Sequence, residues 1–213
     1  MPIDVADLRS LLPPLDPAPG PELAGAGTAD GLRFTGLELT GDATGSRFLE
    51  CVLEHCDLAE VSFDRARFTS CHLDEMRATV WSLADATLLD VVLTRGRFGA
   101  LTAHGSGLTR VRLQELKVDF LDLGSTALVD VTFAACTIGE LDLTSADLRD
   151  VRFLDCTVEL LVLDGARCRG VDLRGAEIAR LDGVAGLRGA TISRVQVTGW
   201  APTLAAELGI AVG

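Results

Sequence analysis

The feature that most constrains the fold is a repeat with a period of five residues. Stepping by five from Phe48 to Ile178 visits 27 positions, and 24 of them are Leu, Phe, Val or Ile. A second series, two residues earlier in each unit, runs from Ser46 to Ala176 and holds only apolar or small side chains. Neither series contains a charge, although 23% of the chain is charged. This period fits neither a half-buried strand nor an amphipathic helix, so we predict a repeat array.

A longer period, of four units, is superimposed on the first. The column of positions 61, 81, 101, 121, 141, 161 and 181 reads Val, Trp and then five Leu. Columns that are alike at this spacing indicate that each residue stacks on the equivalent residue four units further along. Four five-residue sides then form one coil, and stacked coils pair as neighbouring strands do, about 4.8 Å apart. We therefore expect both apolar series to fill the interior and the charged positions to face outward.

Charge and hydropathy exclude several classes of function. The net charge is −12, which argues against general nucleic-acid binding because that requires a basic surface. No apolar run approaches the roughly 18 residues of a membrane span. The N-terminal stretch 1–20 contains acids where a signal peptide has its apolar stretch. We expect a cytoplasmic protein with no membrane association.

The repeat units resemble a known family. ADLRD (146–150), ARFTS (66–70) and ATLLD (86–90) fit the loose A-(D/N)-L-x-x pattern of the pentapeptide-repeat family, and the resemblance covers about residues 32–197. It implies an all-β fold, a right-handed quadrilateral β-helix with the central Leu or Phe and the residue two before it pointing inward. From the length of the array we expect about eight coils with short capping helices at both ends.

The chain divides into three predicted segments. Residues 1–21 are a short helix and a Pro-rich linker, 22–198 are the β-helix, and 199–213 are a C-terminal capping helix or tail. The step of five is one residue short near 41–45 and again near 181–186, which predicts irregular turns there.

Both ends need caps because terminal coils expose apolar faces and open strand edges. We predict a helix over Ile3–Leu12 with Asp4 as its N-cap. At the other end, Leu187, Ile192 and Val197 resume the step of five, and Pro202 is expected in the first turn of the final helix. The residues predicted to form this cap, or a homodimer contact as in some relatives, are Trp200, Leu204 and Leu208.

The cysteines and histidines do not predict a metal site. Cys51, Cys56 and Cys71 fall on inward positions, whereas His55 and His72 fall on outward ones, so their side chains diverge. We interpret all six cysteines as small buried hydrophobes. Stacked pairs such as Cys136 and Cys156 are close enough to be bridged, but a cytosolic setting disfavours a disulfide. No nucleophile, phosphate loop or cofactor motif is present, so we predict no enzyme, no catalytic residue and no cofactor.

The outward columns contain the candidate partner surfaces. We expect one edge to expose the hydrophobes Val80, Phe120 and Leu160 to solvent. One acidic corner contains Asp122, Glu140 and Asp142, and another contains Asp130 and Asp150. Arg77, Arg97 and Lys117 fall on successive coils; they are either solvated beside nearby acids or open to an anionic partner.

Two functions remain open. The first is a protein–protein interaction scaffold that uses the hydrophobic edge, with an unknown partner. The second follows from the resemblance: quinolone-resistance members of the family are acidic rods thought to occupy the DNA site of gyrase and to protect it from poisons, and the ending LGIAV (208–212) is similar to some of them. Against the second, residues 46–182 hold 23 acids and 15 bases, and the two signs are mixed along the sequence.

Overall fold

The computed structural model describes Leu8, residues 12–58 and residues 61–211. Parallel strands follow one another along this part of the chain, and one α-helix follows them. The strands are β1 (Asp16–Pro17), β2 (Glu22–Leu23), β3 (Thr28–Asp30), β4 (Leu32–Thr35), β5 (Thr40–Gly41), β6 (Arg47–Leu49), β7 (Val52–Glu54), β8 (Arg67–Asp74), β9 (Arg77–Ser82), β10 (Thr87–Thr94), β11 (Arg97–Thr102), β12 (Gly107–Gln114), β13 (Lys117–Asp122), β14 (Ala127–Ala134), β15 (Thr137–Asp142), β16 (Asp147–Leu154), β17 (Cys156–Val162), β18 (Arg167–Arg169), β19 (Val171–Asp172), β20 (Ala176–Asp182) and β21 (Ala190–Thr191). A 3₁₀ helix spans Val184–Leu187 and helix α1 spans Arg194–Glu207.

The strands stack as the four-unit period predicts. Leu121 is in register with Leu141, and Leu141 with Leu161, in parallel ladders of successive coils. We call the sides first (126–130), second (131–135), third (136–140) and fourth (141–145), each with its equivalents on the other coils. Strand β14 runs over the first and second sides, and β15 over the third and the start of the fourth. The predicted pentapeptide-repeat β-solenoid is confirmed, with about nine coils.

The two apolar series form one central core along the axis. Phe133 and Phe153 stack with ring centroids 4.6 Å apart and planes within 3° of parallel. Trp81 fills a column that holds Leu on most other coils and packs against Phe98 at 5.4 Å. Ala78 replaces a large residue beside it, so the small side chain offsets the volume of the indole, as dense packing requires.

Three of the four corners of each coil from 66 to 165 turn through left-handed backbone. In one coil these corners are Asp130, Ala135 and Ser145, with φ of 54°, 51° and 59°. At the corner between the third and fourth sides, β15 continues through Glu140 in extended conformation. The left-handed corners thus explain why Asp, Ser and Gly are common at the last position of these sides, since they tolerate this conformation better than branched residues do.

The register slips are confirmed at both ends of the array. Arg33 pairs with Val52 and Val171 with Ala190, each one residue short of the regular step between coils. The second slip is taken up by the 3₁₀ helix. At the N-terminal end β1 pairs with β4, although its residues fall in the predicted linker. Pro17 is tolerated there because the neighbouring N–H groups of Asp16 and Ala18 make the ladder hydrogen bonds. This pairing adds a coil to the eight expected.

The C-terminal helix begins earlier than predicted. Ser193 is its N-cap and forms a capping box with Gln196, which is the S-x-x-Q signature of a helix start. Pro202 therefore lies inside the helix, and Val197 does not continue the repeat as expected but lies on the helix, 46% exposed. The predicted helix over residues 3–12, with Asp4 as its N-cap, lies outside the described residues apart from Leu8 and Leu12. No helix in the described ranges is long and apolar enough to cross a membrane.

Candidate functional site

The fourth side carries carboxylates and no Lys or Arg from Trp81 onward, and its one histidine is His104. It consists of residues 81–85 and their equivalents on later coils, ending at Asp182, and no Lys or Arg occurs in these segments. Its acidic residues are Asp85, Asp122, Asp142, Asp164 and Asp182. We call them the aspartate file. Coiling therefore collects on one side acids that are mixed with bases along the sequence.

The two central aspartates are held by the backbone. Asp122 Oδ1 accepts a hydrogen bond from Gly124 N at 2.8 Å, and Asp142 Oδ1 accepts one from Thr144 N at 2.8 Å. Both side chains are half-buried, and they are register neighbours in β13 and β15. His104 Nδ1 lies 3.6 Å from Asp122 Oδ1. Each carboxylate is thus fixed in direction while its charge stays at the surface.

The charge density of the aspartate file can be compared with that of DNA. Asp85 and Asp182 lie five coil steps apart, which is about 24 Å at about 4.8 Å per step. Five carboxylates over this length give one charge per roughly 5 Å. One strand of duplex DNA carries one charge per about 3.4 Å. The fourth side therefore has about two thirds of the linear charge density of a single DNA strand.

The predicted acidic corner of Asp122, Glu140 and Asp142 is brought together by the register between strands β13 and β15. Glu140 precedes Asp142 by two residues on β15, so both side chains point to the same face. Glu140 also stacks in register between Phe120 and Leu160. It thus joins the aspartate file to the hydrophobic edge.

Asp130 and Asp150 lie elsewhere. Both occupy left-handed corners after the first side, with φ of 54° and 55°. They stack in a column with Asp90, which receives two hydrogen bonds from Arg110 at 2.6 and 2.7 Å. The turn in the backbone is enough to explain an aspartate at these positions, and the structure separates them from the aspartate file.

The predicted hydrophobic edge is only partly exposed. Val80 is 56% exposed, but Phe120 and Leu160 are half-buried, so the expectation that all three project into solvent is wrong for two of them. The reason is the register: Ala100 and Glu140 stack on either side of Phe120 at the ladder spacing.

The histidines and cysteines are placed apart, as their register predicts, with one exception. His55 is exposed and its Nδ1 lies 2.9 Å from Glu75. All six cysteines are buried and free, and burial raises the pKa of Cys168 to about 11. His72, expected to face solvent, is only 1% exposed. Within the described ranges, no three His, Cys, Asp or Glu side chains are grouped to hold a metal.

His72 is buried because the outer face of the second side is covered on the coils of β7, β8 and β10. Val52 and Val92, equivalent to His72 on neighbouring coils, are fully buried yet lie outside the central core. Beside them, Thr94 and Arg95 hydrogen-bond to Asp74 at 2.7 and 2.9 Å. Burial alone would raise the pKa of Asp74, but these hydrogen bonds outweigh it and hold the pKa below its ordinary value. Sequence reasoning missed this cluster, and the valines at outward positions were the available signal.

Of the residues predicted to form the C-terminal cap, Trp200 and Leu204 pack on the last coil and Leu208 is exposed. Trp200 is 5% exposed and its Nε1 donates to Ile178 O at 3.4 Å. Gln196 Nε2 donates to Leu173 O and Ala176 O, and Leu204 packs against the core. These contacts close the last coil. Leu208 is 76% exposed and does not contribute to the cap.

Comparison with solved structures agrees with the fold. Two solved structures of QnrB1, described as a plasmid-mediated fluoroquinolone resistance protein, are similar in fold, and both are trypsin-treated variants. One aligns with TM-score 0.52 at 18% identity, covering 89% of this chain and 100% of that one. The other aligns with TM-score 0.51 at 16% identity, covering 88% of this chain and 100% of that one.

A third structure is HetL, a pentapeptide-repeat protein involved in heterocyst differentiation regulation from the cyanobacterium Nostoc sp. strain PCC 7120. It aligns with TM-score 0.39 at 16% identity, covering 78% of this chain and 90% of that one, which is too low to support a conclusion. No curated protein matches the sequence. Residues 46–123 match the family profile of the pentapeptide repeat region. The same coil continues on both sides of that match, so the array as a whole has the pentapeptide-repeat fold.

Proposed function

We propose that this protein is a non-enzymatic, cytoplasmic protein-binding scaffold, and that the aspartate file is the surface that binds a basic partner. The observation that carries the proposal is the absence of Lys and Arg from every segment of the fourth side after Trp81, in a chain with 19 basic residues. A single-sign surface attracts an oppositely charged partner from a distance and aligns it on approach. The spacing of the carboxylates favours a partner that ordinarily binds a nucleic-acid backbone.

The direct test neutralises the two aspartates that the backbone orients. Asp122→Asn with Asp142→Asn removes two charges and keeps both Oδ1 acceptors, so the local turns are preserved. The matched control, Glu159→Gln with Glu177→Gln, removes two exposed charges from the third side. Immobilised wild type should retain proteins that duplex DNA elutes. The Asn variant should lose them and the Gln variant should retain them; equal retention by both variants would reject the aspartate file as the binding surface.

A second candidate function is the protection of a topoisomerase, DNA gyrase, from fluoroquinolones. It is favoured by the aspartate file together with the similarity in fold to QnrB1, a fluoroquinolone resistance protein. On this proposal the fourth side occupies part of the DNA-binding surface of the enzyme. The assay is gyrase supercoiling with a fluoroquinolone present, titrated with wild type, the Asn variant and the Gln variant. Rescue by wild type and the Gln variant alone supports the proposal, and failure of wild type to change supercoiling rejects it.

We also propose that the C-terminal end forms a homodimer contact. Val195, Leu208 and Ile210 are 81%, 76% and 56% exposed and lie on α1 or just after it. Most other large hydrophobes of the described chain are covered, so this end presents apolar area that a second copy would bury.

A further inference from the structure

A row of unpaired cations lies on the third side. Arg77, Arg97 and Lys117 are in register on β9, β11 and β13, and all three side chains are exposed. Other arginines on the solenoid form ion pairs, such as Arg95 with Asp74 and Arg180 with Glu159. Among the described residues, none of the three row members lies within ion-pair distance of a carboxylate. Three like charges about 4.8 Å apart repel one another unless an anion lies between or above them.

The row borders a groove along the axis of the solenoid. The groove has a volume of about 540 Å³, and its floor includes Thr79, Gly99 and Phe98. A Cβ at Gly99 would lie 2.6 Å from Thr79 O, so a side chain there would require the backbone to move. The glycine therefore keeps the floor low beside the long basic side chains. We call the row and this floor together the cationic groove.

The opposite edge of the third side is apolar. Val80, Ala100 and Phe120 are register neighbours, three residues along the strands from the cations. Three residues of strand span about 10 Å. Val80 is 56% exposed and Phe120 half-buried, so both can contact an occupant. An occupant lying along the axis would meet positive charge on one flank and hydrocarbon on the other.

These dimensions select one kind of occupant. An α-helix is about 10–12 Å across, close to the width between the two edges. Its residues three and four apart are about 5–6 Å from each other, close to the spacing of the cations. Alternate residues of an extended strand are about 6.6 Å apart and would fall out of step. We propose that the cationic groove binds an acidic amphipathic helix of a protein partner, with its carboxylates on Arg77, Arg97 and Lys117.

Two carboxylates in the groove argue against a nucleic acid as the occupant. Asp57 and Asp119 line it beside the three cations, and Asp57 is bridged to Arg77 through the backbone. They leave the groove with a net charge of +1 in a chain of net charge −12. A phosphate backbone, with a charge on every nucleotide, would meet these carboxylates, whereas a helix with spaced acids can avoid them.

The proposal deepens the proposed scaffold function and rests on it, but it uses a different surface. The aspartate file would bind a basic partner and the cationic groove an acidic one. Failure of one surface therefore leaves the other open to test. The probe is a synthetic 16-residue helical peptide with Glu at positions i, i+4 and i+7 and Leu on the neighbouring stripe.

Binding is measured by fluorescence anisotropy in low salt on the full chain. Arg97→Gln, at the centre of the row, should weaken binding at least tenfold, and Val80→Ser about threefold. Arg67→Gln is the matched control, because Arg67 is exposed on the first side without an ion pair in the described structure. It should stay within twofold of wild type, as should the Asp122→Asn, Asp142→Asn variant.

Three outcomes would overturn the proposal. The first is equal weakening by Arg97→Gln and Arg67→Gln, which would mean that only net charge matters. The second is equal affinity for a scrambled peptide of the same composition, which would remove the need for an amphipathic helix. The third is tighter binding of a single-stranded oligonucleotide than of the peptide, which would make the groove a nucleic-acid site.

Discussion

The column of leucines on the fourth side gives the sharpest test of the fold. Leu141 is fully buried, with Leu121 and Leu161 directly below and above it in register. Replacing Leu141 by Ala removes three carbon atoms from the middle of this column. The ladders on both sides fix the spacing of the coils, so the walls cannot move in to fill the space. Leu→Ala changes in cores lower the free energy of unfolding by about 2–5 kcal/mol, and we expect the upper half of that range here.

The assay is guanidinium unfolding followed by far-ultraviolet circular dichroism. Leu154→Ala is the matched control, because Leu154 lies on the outer face of the second side and is 45% exposed. The same atoms are removed there without creating an internal space, so the loss should be below about 1 kcal/mol. The slope of the transition must be compared as well, because a repeat array can lose cooperativity when one coil is weakened.

Equal losses in the two variants would refute the register from which every other assignment follows. A small loss for Leu141→Ala with an unchanged slope would mean that the coils approach one another and the packing of the column adapts. A large loss for Leu154→Ala would place its side chain in contact with a part of the chain that covers it. Each result can be read directly from the midpoints and slopes.

Three further predictions concern corners, pH and assembly. Ala135 has a φ of 51°, so Ala135→Gly should raise the free energy of unfolding by about 0.5–1 kcal/mol, whereas Ala134→Gly, in buried strand, should lower it. The pKa of Asp74 is lowered on folding. Its contribution to the free energy of unfolding is therefore fully present above about pH 3.9 and is lost as the pH falls through the folded pKa. Between pH 5 and pH 2.5 the Asp74→Asn variant should therefore lose less stability than wild type. Leu208→Glu should convert a dimer to a monomer in sedimentation velocity if the C-terminal contact is correct.

The interior could be predicted because it repeats. Every inward side chain packs against the equivalent side chains of the coil above and the coil below. The five-residue unit and the four-unit coil were therefore enough to predict the register, the stacked columns and both register slips. The ends could not be predicted as well. There the step between coils is shorter than twenty residues, by one between β4 and β7 and by four between β1 and β4. In addition, β1 pairs through residues that surround Pro17, which local propensity alone would assign to a linker. The capping box at Ser193 was present in the sequence, but it overlapped the last five-residue repeats, so the start of the helix was predicted too late.

The surface was harder to predict because the residue at an outward position can be determined by the backbone turn, by a segment that covers it or by a partner. Asp130 and Asp150 are explained by the corner they occupy, and His72 by the cover on the second side. A count of charges along the sequence mixes all four sides, so the aspartate file was not apparent from that count. It becomes visible only when residues are sorted by side, which the register allows. The same sorting isolates the cationic groove, whose basic members lie one coil apart.

The aspartate file raises a question of stability as well as function. Asp122 and Asp142 are register neighbours about 4.8 Å apart, and their column continues with Thr102 on one side and Val162 on the other. At this distance two charges repel by about 0.9 kcal/mol in water, or about 0.5 kcal/mol at physiological ionic strength.

Asp→Asn at both positions keeps the Oδ1 acceptors, so removing the charges should raise the free energy of unfolding by about 0.5 kcal/mol. The gain should shrink as salt is added. Glu159→Gln with Glu177→Gln should give no gain, because Glu159 pairs with Arg180. A fall in stability for the Asn variant would mean that the carboxylates hold the turns through their charge. A gain that vanishes in salt would mean that these charges weaken the fold, which leaves binding as their role.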